Sequence, residues 1–276
     1  MAAAPVILLP PSEGKRPGGD GAPWSAGRSA LPELDERRAT VAAALVRAMK
    51  GSVATRQKLL GVKGDALAKA TEANRAVLES ATLPAIDRYT GVLYDALDAG
   101  SLSARDRTRL HRQVVIFSGV WGASLPGDPL PDHKLKMSAT LPRLGKLSTW
   151  WREPLTAALA PTVEGRVVWD LLPNEHEAAW APAEAGSAAP GAPSSVLSVR
   201  FLDEQPRTKG AERSFTTVNH WNKLLKGAVV RHVLATGADE PAALAAFTHP
   251  EGYVYDASLT EEAKGRTLVS MVRPPR

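Results

Sequence analysis

Four apolar residues in a row, Val6-Ile7-Leu8-Leu9, stop at Pro10-Pro11. A short apolar run without alternation, cut off by proline, predicts a buried strand. Residues 10–30 read as a loop. Residues 31–49 then follow helical spacing, with Glu33, Asp35 and Glu36 early and Arg47 late, the order the helix macrodipole favours. A second helix is predicted at about 64–72. Tyr89, Val92, Leu93 and Leu97 recur at i, i+3, i+4 and i+8, which predicts one amphipathic helix over 86–99, closed by Gly100. Ser103 caps a helix over 103–112, and the β-branched and aromatic run 114–117 predicts a strand. Further along, the pattern predicts a helix at 147–159, a strand at 167–171 and a short helix at 174–180 with Asn174 as its cap. Alternating strands follow at 196–202 and 214–218, then helices at 219–235 and 241–247. Segments 252–255 and 267–272 form a closing strand pair.

Strands and helices interleave with no linker at the midpoint and no internal repeat. Residues 1–276 therefore read as a single compact mixed α/β domain around a central sheet, in an order that fits neither a dinucleotide-binding fold nor a TIM barrel. The stretch 181–195 (APAEAGSAAPGAPSS) reads as a flexible surface loop. With 44% apolar and 23% charged residues the chain is of globular type. It has no cysteine, which excludes disulfides, thiolate-bound metal and a thiol nucleophile together. The first residues lack a basic n-region, and no apolar run reaches the ~18 residues of a membrane span. The expectation is a cytoplasmic protein without a membrane partner.

The net charge of +5 is unevenly spread. Residues 105–152 hold nine Lys/Arg against three Asp/Glu, residues 196–236 seven against three, and residues 153–195 one against six. Two basic blocks flanking an acidic one suit an anionic partner if they converge in space, and amount to a solvated surface if they do not.

Several segments carry candidate chemistry. Pro10-Pro11-Ser12-Glu13-Gly14-Lys15 follows a strand and precedes Gly18-Gly19, the kind of loop that presents backbone N–H groups to an anion, though without Walker spacing. Gly61-Val62-Lys63-Gly64, between helical segments at about 40–72, resembles a helix–hairpin–helix element, whose glycines let the backbone approach DNA phosphates. Its plainer alternative is a helix–helix turn. Lys223, Lys226, Gly227 and Arg231 share one face of the 219–235 helix, with the glycine open to a ligand or to another backbone. In His133-Lys134-Leu135-Lys136-Met137, read as a basic strand, alternation puts Lys134 and Lys136 together on one face. Asp170 and Asn174-Glu175-His176-Glu177 follow a strand end, where α/β sites sit, but their spacing suits a polar pocket better than a metal site. No metal or cofactor is expected. Trp121 and Trp221 are candidates for base stacking, with core packing as the alternative.

Taken in order, these segments resemble the YaaA family of bacterial peroxide stress proteins. The resemblance rests on Pro10–Gly19, Arg88-Tyr89-x-Gly91-x-x-Tyr94, and Ser118-Gly119-x-x-Gly122 followed by Pro126 and Asp128. It continues through Lys134-Leu135-x-Met137, Glu175, Phe201-Leu202-Asp203 and Lys223-x-x-Lys226-Gly227-x-x-x-Arg231. It implies a compact α/β fold of unusual topology with a positively charged cleft, a helix–hairpin–helix element and DNA binding. It also implies a role in limiting iron-dependent peroxide damage. Two functions follow. In the first, the chain is a non-enzymatic binder of double-stranded or distorted DNA, holding phosphates with Gly61, Val62, Lys63, Gly64, Lys134, Lys136, Lys223, Lys226, Gly227 and Arg231. In the second, it is an enzyme on a small phosphorylated or nucleobase-like ligand, with Ser12, Glu13, Lys15, Tyr89, Asp128 and Glu175 lining the same cleft.

Overall fold

The buried run becomes an interior strand of a nine-stranded mixed sheet in the computed structural model, which describes residues 3–206, 210, 212–217, 222–247, 249, 251–263 and 265–275. The strands are β1 (Val6–Leu9), β2 (Val114–Ser118), β3 (Gly122–Ser124), β4 (Val167–Asp170), β5 (Ser195–Glu204), β6 (Phe215–Thr217), β7 (Val254–Tyr255), β8 (Glu261–Ala263) and β9 (Arg266–Arg273). Their order is β3-β2-β1-β4-β5-β9-β7, with β6 paired to β5 and β8 to β9. The five strands from β2 to β9 run parallel, and β3, β6, β7 and β8 are antiparallel additions. Every residue of β1 and β2 is buried. This is why both read as continuous apolar runs: a parallel sheet covered on two faces has no polar side to alternate with.

Around the sheet lie α1 (Asp35–Ala48), α2 (Val53–Leu60), α3 (Gly64–Arg75), α4 (Ala85–Arg88), α5 (Val92–Leu97), α6 (Ala104–Gln113), α7 (Leu147–Val163), α8 (Asn174–Glu177) and α9 (Asn222–Thr236). Ser103 caps α6 as expected, accepting from the Asp106 N–H. The mixed α/β architecture around one central sheet is thus as the pattern predicts, and among the described residues no helix is long and apolar enough to cross a membrane.

Four local expectations are corrected. The helix expected over 86–99 is two short helices, because Tyr89–Thr90 is extended and pairs with Gly14–Lys15, and Gly91 turns at φ 99° with Ser12 Oγ only 3.2 Å from where a Cβ would stand. Segment 133–137 forms no strand. Asn74 clamps it instead, accepting from the Lys134 N–H (2.8 Å) and donating to the Lys134 carbonyl (2.9 Å), so one side chain does the work of a neighbouring strand. Asn174 is not a cap; Pro173 occupies that position and no side-chain cap is made. The 181–195 loop is pinned at its end, where Gly191, Ala192 and Pro193 are buried and Gly191 lies against Ala160. The starts of the helix expected over 219–235 and the end of the strand over 214–218 fall outside the described residues, as does Trp221.

From β1 the chain moves to β2 on one side, then jumps back across β1 to β4 and continues outward through β5 to β9. The direction of winding therefore reverses between β1 and β4. In open α/β sheets ligands bind outside the carboxyl ends of the strands at such a reversal. Here the segments leaving those ends are Pro10–Lys15 after β1 and Leu171–His176 after β4.

Candidate functional site

Those two segments face each other across a cleft of about 680 Å³, walled by Pro10, Pro11, Ser12, Glu13, Leu93, Tyr94, Leu171, Pro173, Glu175, His176, Asn222, Lys223 and Lys226. A narrower recess continues from it past Lys15, Ser118, His133, Lys134, Leu135 and Lys136, sharing Ser12, Glu13, Glu175 and His176 with the main cavity. The Ser12–Lys15 loop and the first turn of α9 thus open on one space, with 133–136 as its third wall.

Glu13 sits at the centre of the charges. Its carboxylate lies 3.3 Å from Lys134 Nζ and 3.6 Å from Lys136 Nζ. The Lys134 ammonium holds its carboxyl below the usual range, with Lys136 and Lys223 adding to the pull. Three lysines from segments some ninety residues apart therefore act on one exposed carboxylate. Lys15 Nζ donates to the Ser12 carbonyl (3.0 Å) and rests over the Tyr89 ring, 5.3 Å from its centre. Burial pushes its amine down to about 8, against the pull of Asp132. Tyr89 itself lies beneath the wall, buried against Tyr94, and faces His133 Nε2 at 3.4 Å. The His133 ring, held neutral mainly by burial, has Nδ1 2.9 Å from the Pro131 carbonyl and 3.3 Å from the Trp121 indole nitrogen. Lys226 Nζ donates to the Leu171 carbonyl (3.0 Å), closing the β4 end of the cleft. Glu175 accepts from Ser138 Oγ at 2.6 Å.

Four candidate residues lie elsewhere. Asp128 is buried away from the cleft, accepting from the Ala30 and Leu125 N–H groups, so it ties two loops together. Arg231 donates to the Leu97 and Asp98 carbonyls and caps the end of α5. Gly227 is open to a backbone rather than a ligand: α5 passes so close that a Cβ there would meet the Leu93 carbonyl oxygen. Trp121 is fully buried, tilted against Trp24, and has no face for a base. The Gly61–Gly64 turn does join two helices, α2 and α3, with Gly61 at φ 67° and Gly64 at φ 55°. Val62 packs on the core while Lys63 is exposed.

Part of each basic block is used structurally. Arg109 donates to the Leu234 and Ala235 carbonyls, Arg200 pairs with Glu261, and Arg213 with Glu204 and Asp256. Among the described residues, only the lysine pairs 134 with 136 and 223 with 226 reach the cleft from them. Among the described residues no group of three or more His, Asp and Glu stands close enough together to hold a metal ion.

A family described as peroxide stress protein YaaA matches residues 6–259 of the chain. The chain belongs to the YaaA family. It is 36% identical over 254 residues to a UPF0246 protein of Streptomyces coelicolor, covering 91% of this chain and 92% of that one. It is 34% identical over 239 residues to a UPF0246 protein of Corynebacterium glutamicum, covering 85% and 86%. A UPF0246 protein of Roseobacter denitrificans matches at 28% over 189 residues, 67% and 68% of the two chains. In this YaaA-family chain the cleft at the winding reversal is assembled from Pro10–Lys15, 133–136, Glu175-His176 and the start of α9, each of them among the segments the sequence singles out.

His176 is the residue that sequence reasoning undervalues. It is 4% exposed, lines both parts of the cleft, and neither ring nitrogen has a hydrogen-bond partner. Asp170 ends β4 with Oδ1 accepting from the Leu172 N–H and Oδ2 without a hydrogen bond, 3.7 Å from the Arg266 guanidinium. Burial raises the Asp170 carboxyl from 3.8 to about 6. An acid whose folded value is raised binds its proton more tightly in the native state, so it stabilises fully below its unfolded value and loses that contribution as pH rises through about 6. Asp170→Asn should therefore match the native chain in stability near pH 4 and exceed it by up to ~3 kcal/mol near pH 7.5. Urea melts at the two pH values check this; an equal difference at both would show that Asp170 titrates normally.

Proposed function

We propose that this YaaA-family chain serves the peroxide stress response by binding DNA, double-stranded or distorted, through its phosphate backbone and largely without regard to sequence. The observation that carries the reading is the gathering of Lys134, Lys136 and Lys223 on Glu13, whose carboxylate stands where a phosphate oxygen would be neutralised. Lys136 also lines a second hollow with Arg47, Lys58 and Gly61, so cations run from the cleft to the α2–α3 turn. That continuity suits a polyanion longer than the cleft, with the turn and Lys63 as a second phosphate seat.

Fluorescence anisotropy with duplex, bubble and single-stranded DNA at two salt concentrations tests it. Affinity should fall with salt by about 0.9 log units per log unit for each phosphate neutralised. Lys134→Ala and Lys223→Ala should each lower that slope by about 1. Absence of binding below ~10 µM at low salt, or binding indifferent to salt, overturns the reading.

A second reading, an enzyme on a small phosphorylated or nucleobase-like substrate, is favoured by one observation: the cleft's volume is that of a small-molecule site. In it the half-buried Lys15 amine, near 8, would serve as an acid or base.

A further inference from the structure

His176 poses a physical problem. A buried imidazole with no hydrogen bond destabilises the fold, and nearly all buried polar groups in native proteins find a partner. Both nitrogens of His176 are buried and unsatisfied, and burial keeps the ring neutral, its value near 4. The Glu175 carboxylate passes Nδ1 at 3.7 Å, too far for a hydrogen bond, and is drawn away by Ser138 Oγ. A neutral imidazole offers one donor and one acceptor. The residue that carries them lines both cavities of the cleft.

The surroundings define what would complete it. On one side are the ammonium groups of Lys223 and Lys226, on the other Lys134 and Lys136. Between them the wall is apolar and partly flat: Pro10, Pro11 and Tyr94, the last fixed by its hydroxyl donating to the Pro10 carbonyl at 2.9 Å. Cations, a flat apolar wall and one buried polar ring within about 680 Å³ match a ligand with a phosphate, a planar ring system and a hydroxyl or ring nitrogen between them.

We propose that the cleft floor is a mononucleotide site in which the lysines hold the phosphate and His176 hydrogen-bonds the sugar or base. This rests on the second reading above and names its ligand class and its recognition residue. Phosphate contacts alone serve DNA; a partner for His176 requires the nucleoside to enter the cleft. The unsatisfied ring is then a cost carried by the empty protein and relieved on binding.

Thermal-shift and calorimetric titrations of the full chain with the four ribonucleoside 5′-monophosphates, inorganic phosphate and pyrophosphate decide it. At least one nucleotide should bind about tenfold more tightly than inorganic phosphate, the equivalent of one satisfied hydrogen bond. His176→Phe should raise the melting temperature of the ligand-free chain by about 2–4 °C, keep the phosphate response and erase the nucleotide preference. His176→Asn, which restores a donor and an acceptor, should keep part of it. Equal affinity for nucleotide and phosphate in the native chain overturns the proposal whatever the variants do. So does a His176→Phe chain that still prefers nucleotide. If inorganic phosphate and pyrophosphate also fail to bind, the anionic reading of the cleft falls as a whole. If they bind without nucleotide preference, only the mononucleotide site falls. DNA binding that persists in His176→Phe would leave the DNA reading standing independently.

Discussion

Gly227→Val should lower the melting temperature more than any single lysine change in the cleft, by roughly 2–12 °C. A Cβ at position 227 would stand 2.2 Å from the Leu93 carbonyl oxygen and 2.9 Å from Ala96 Cβ, inside any real contact distance. The closest obstacle is backbone of α5, which cannot rotate aside as a long side chain can. α9 must therefore lift away and loosen Leu225, Val229 and Val230, which are fully buried beside it. Overpacking of this kind costs about 1–3 kcal/mol and sometimes more, and for a chain of this size each kcal/mol is worth about 2–4 °C. Even Gly227→Ala should act in the same direction. Calorimetric melts check it, and DNA titration of the same variant separates two accounts. Were Gly227 a gap for a ligand, as its place on the helix face suggests, valine would cost affinity and leave the melting temperature within about 2 °C of the native value.

That misplacement shows where sequence reasoning meets its limit. Lys223, Lys226, Gly227 and Arg231 look like one stripe, but eight residues advance about 12 Å along a helix and rotate about 80° off the starting line. Arg231 has thereby left the cleft for the end of α5, and Gly227 has turned toward its backbone. Over the shorter reach of 133–137 the alternation holds. His133, Leu135 and Met137 are buried and Lys134 and Lys136 reach Glu13, even though Asn74 rather than a strand fixes the segment. Runs such as Val6–Leu9 and Val114–Ser118 are legible because burial on both faces leaves a composition signal. The strand order is not, since nothing in the spacing says that β4 returns across β1. Nor is the burial of arginine. Arg38 on α1 carries no marking in the sequence, yet it is 1% exposed and donates to the Ala30, Leu31, Trp121 and Ala123 carbonyls. Counting basic residues by block overstates the charge available to a ligand because arginines within the blocks, such as Arg109, Arg200 and Arg213, are spent on carbonyls and carboxylates in the same way. His176 is named within a polar-pocket segment but not ranked above its neighbours for the opposite reason: one histidine in a short helix carries no pattern, and only the lack of a partner marks it.

Arg88 gives the second large effect, and it links the buried arginines to the cleft. The side chain is fully buried. Its Nε donates to the Leu130 carbonyl (3.0 Å), Nη2 to the Gly18 (2.7 Å) and Ala81 (3.3 Å) carbonyls, and Nη1 to the Arg16 carbonyl. In return its own carbonyl accepts from the Arg16 N–H at 2.9 Å. Three chain segments are fastened through one guanidinium, and one of them is the continuation of the Ser12–Lys15 loop. Arg88→Met fills much of the volume but leaves four carbonyls without this donor. At about 1–3 kcal/mol for each buried group left unsatisfied, offset by the cost of burying the charge, the net loss should be about 3–5 kcal/mol. Arg88→Lys should rescue little, because a single ammonium cannot span acceptors that a planar five-donor fork reaches together. Urea melts give the stability change. Titration with inorganic phosphate at a temperature where the variant is still folded reads the second consequence, weaker anion binding as Lys15 and Glu13 lose their fixed loop. A lysine variant within about 1 kcal/mol of the native chain would mean that the loop is held by the Gly14–Lys15 pairing with Tyr89–Thr90 and not by Arg88.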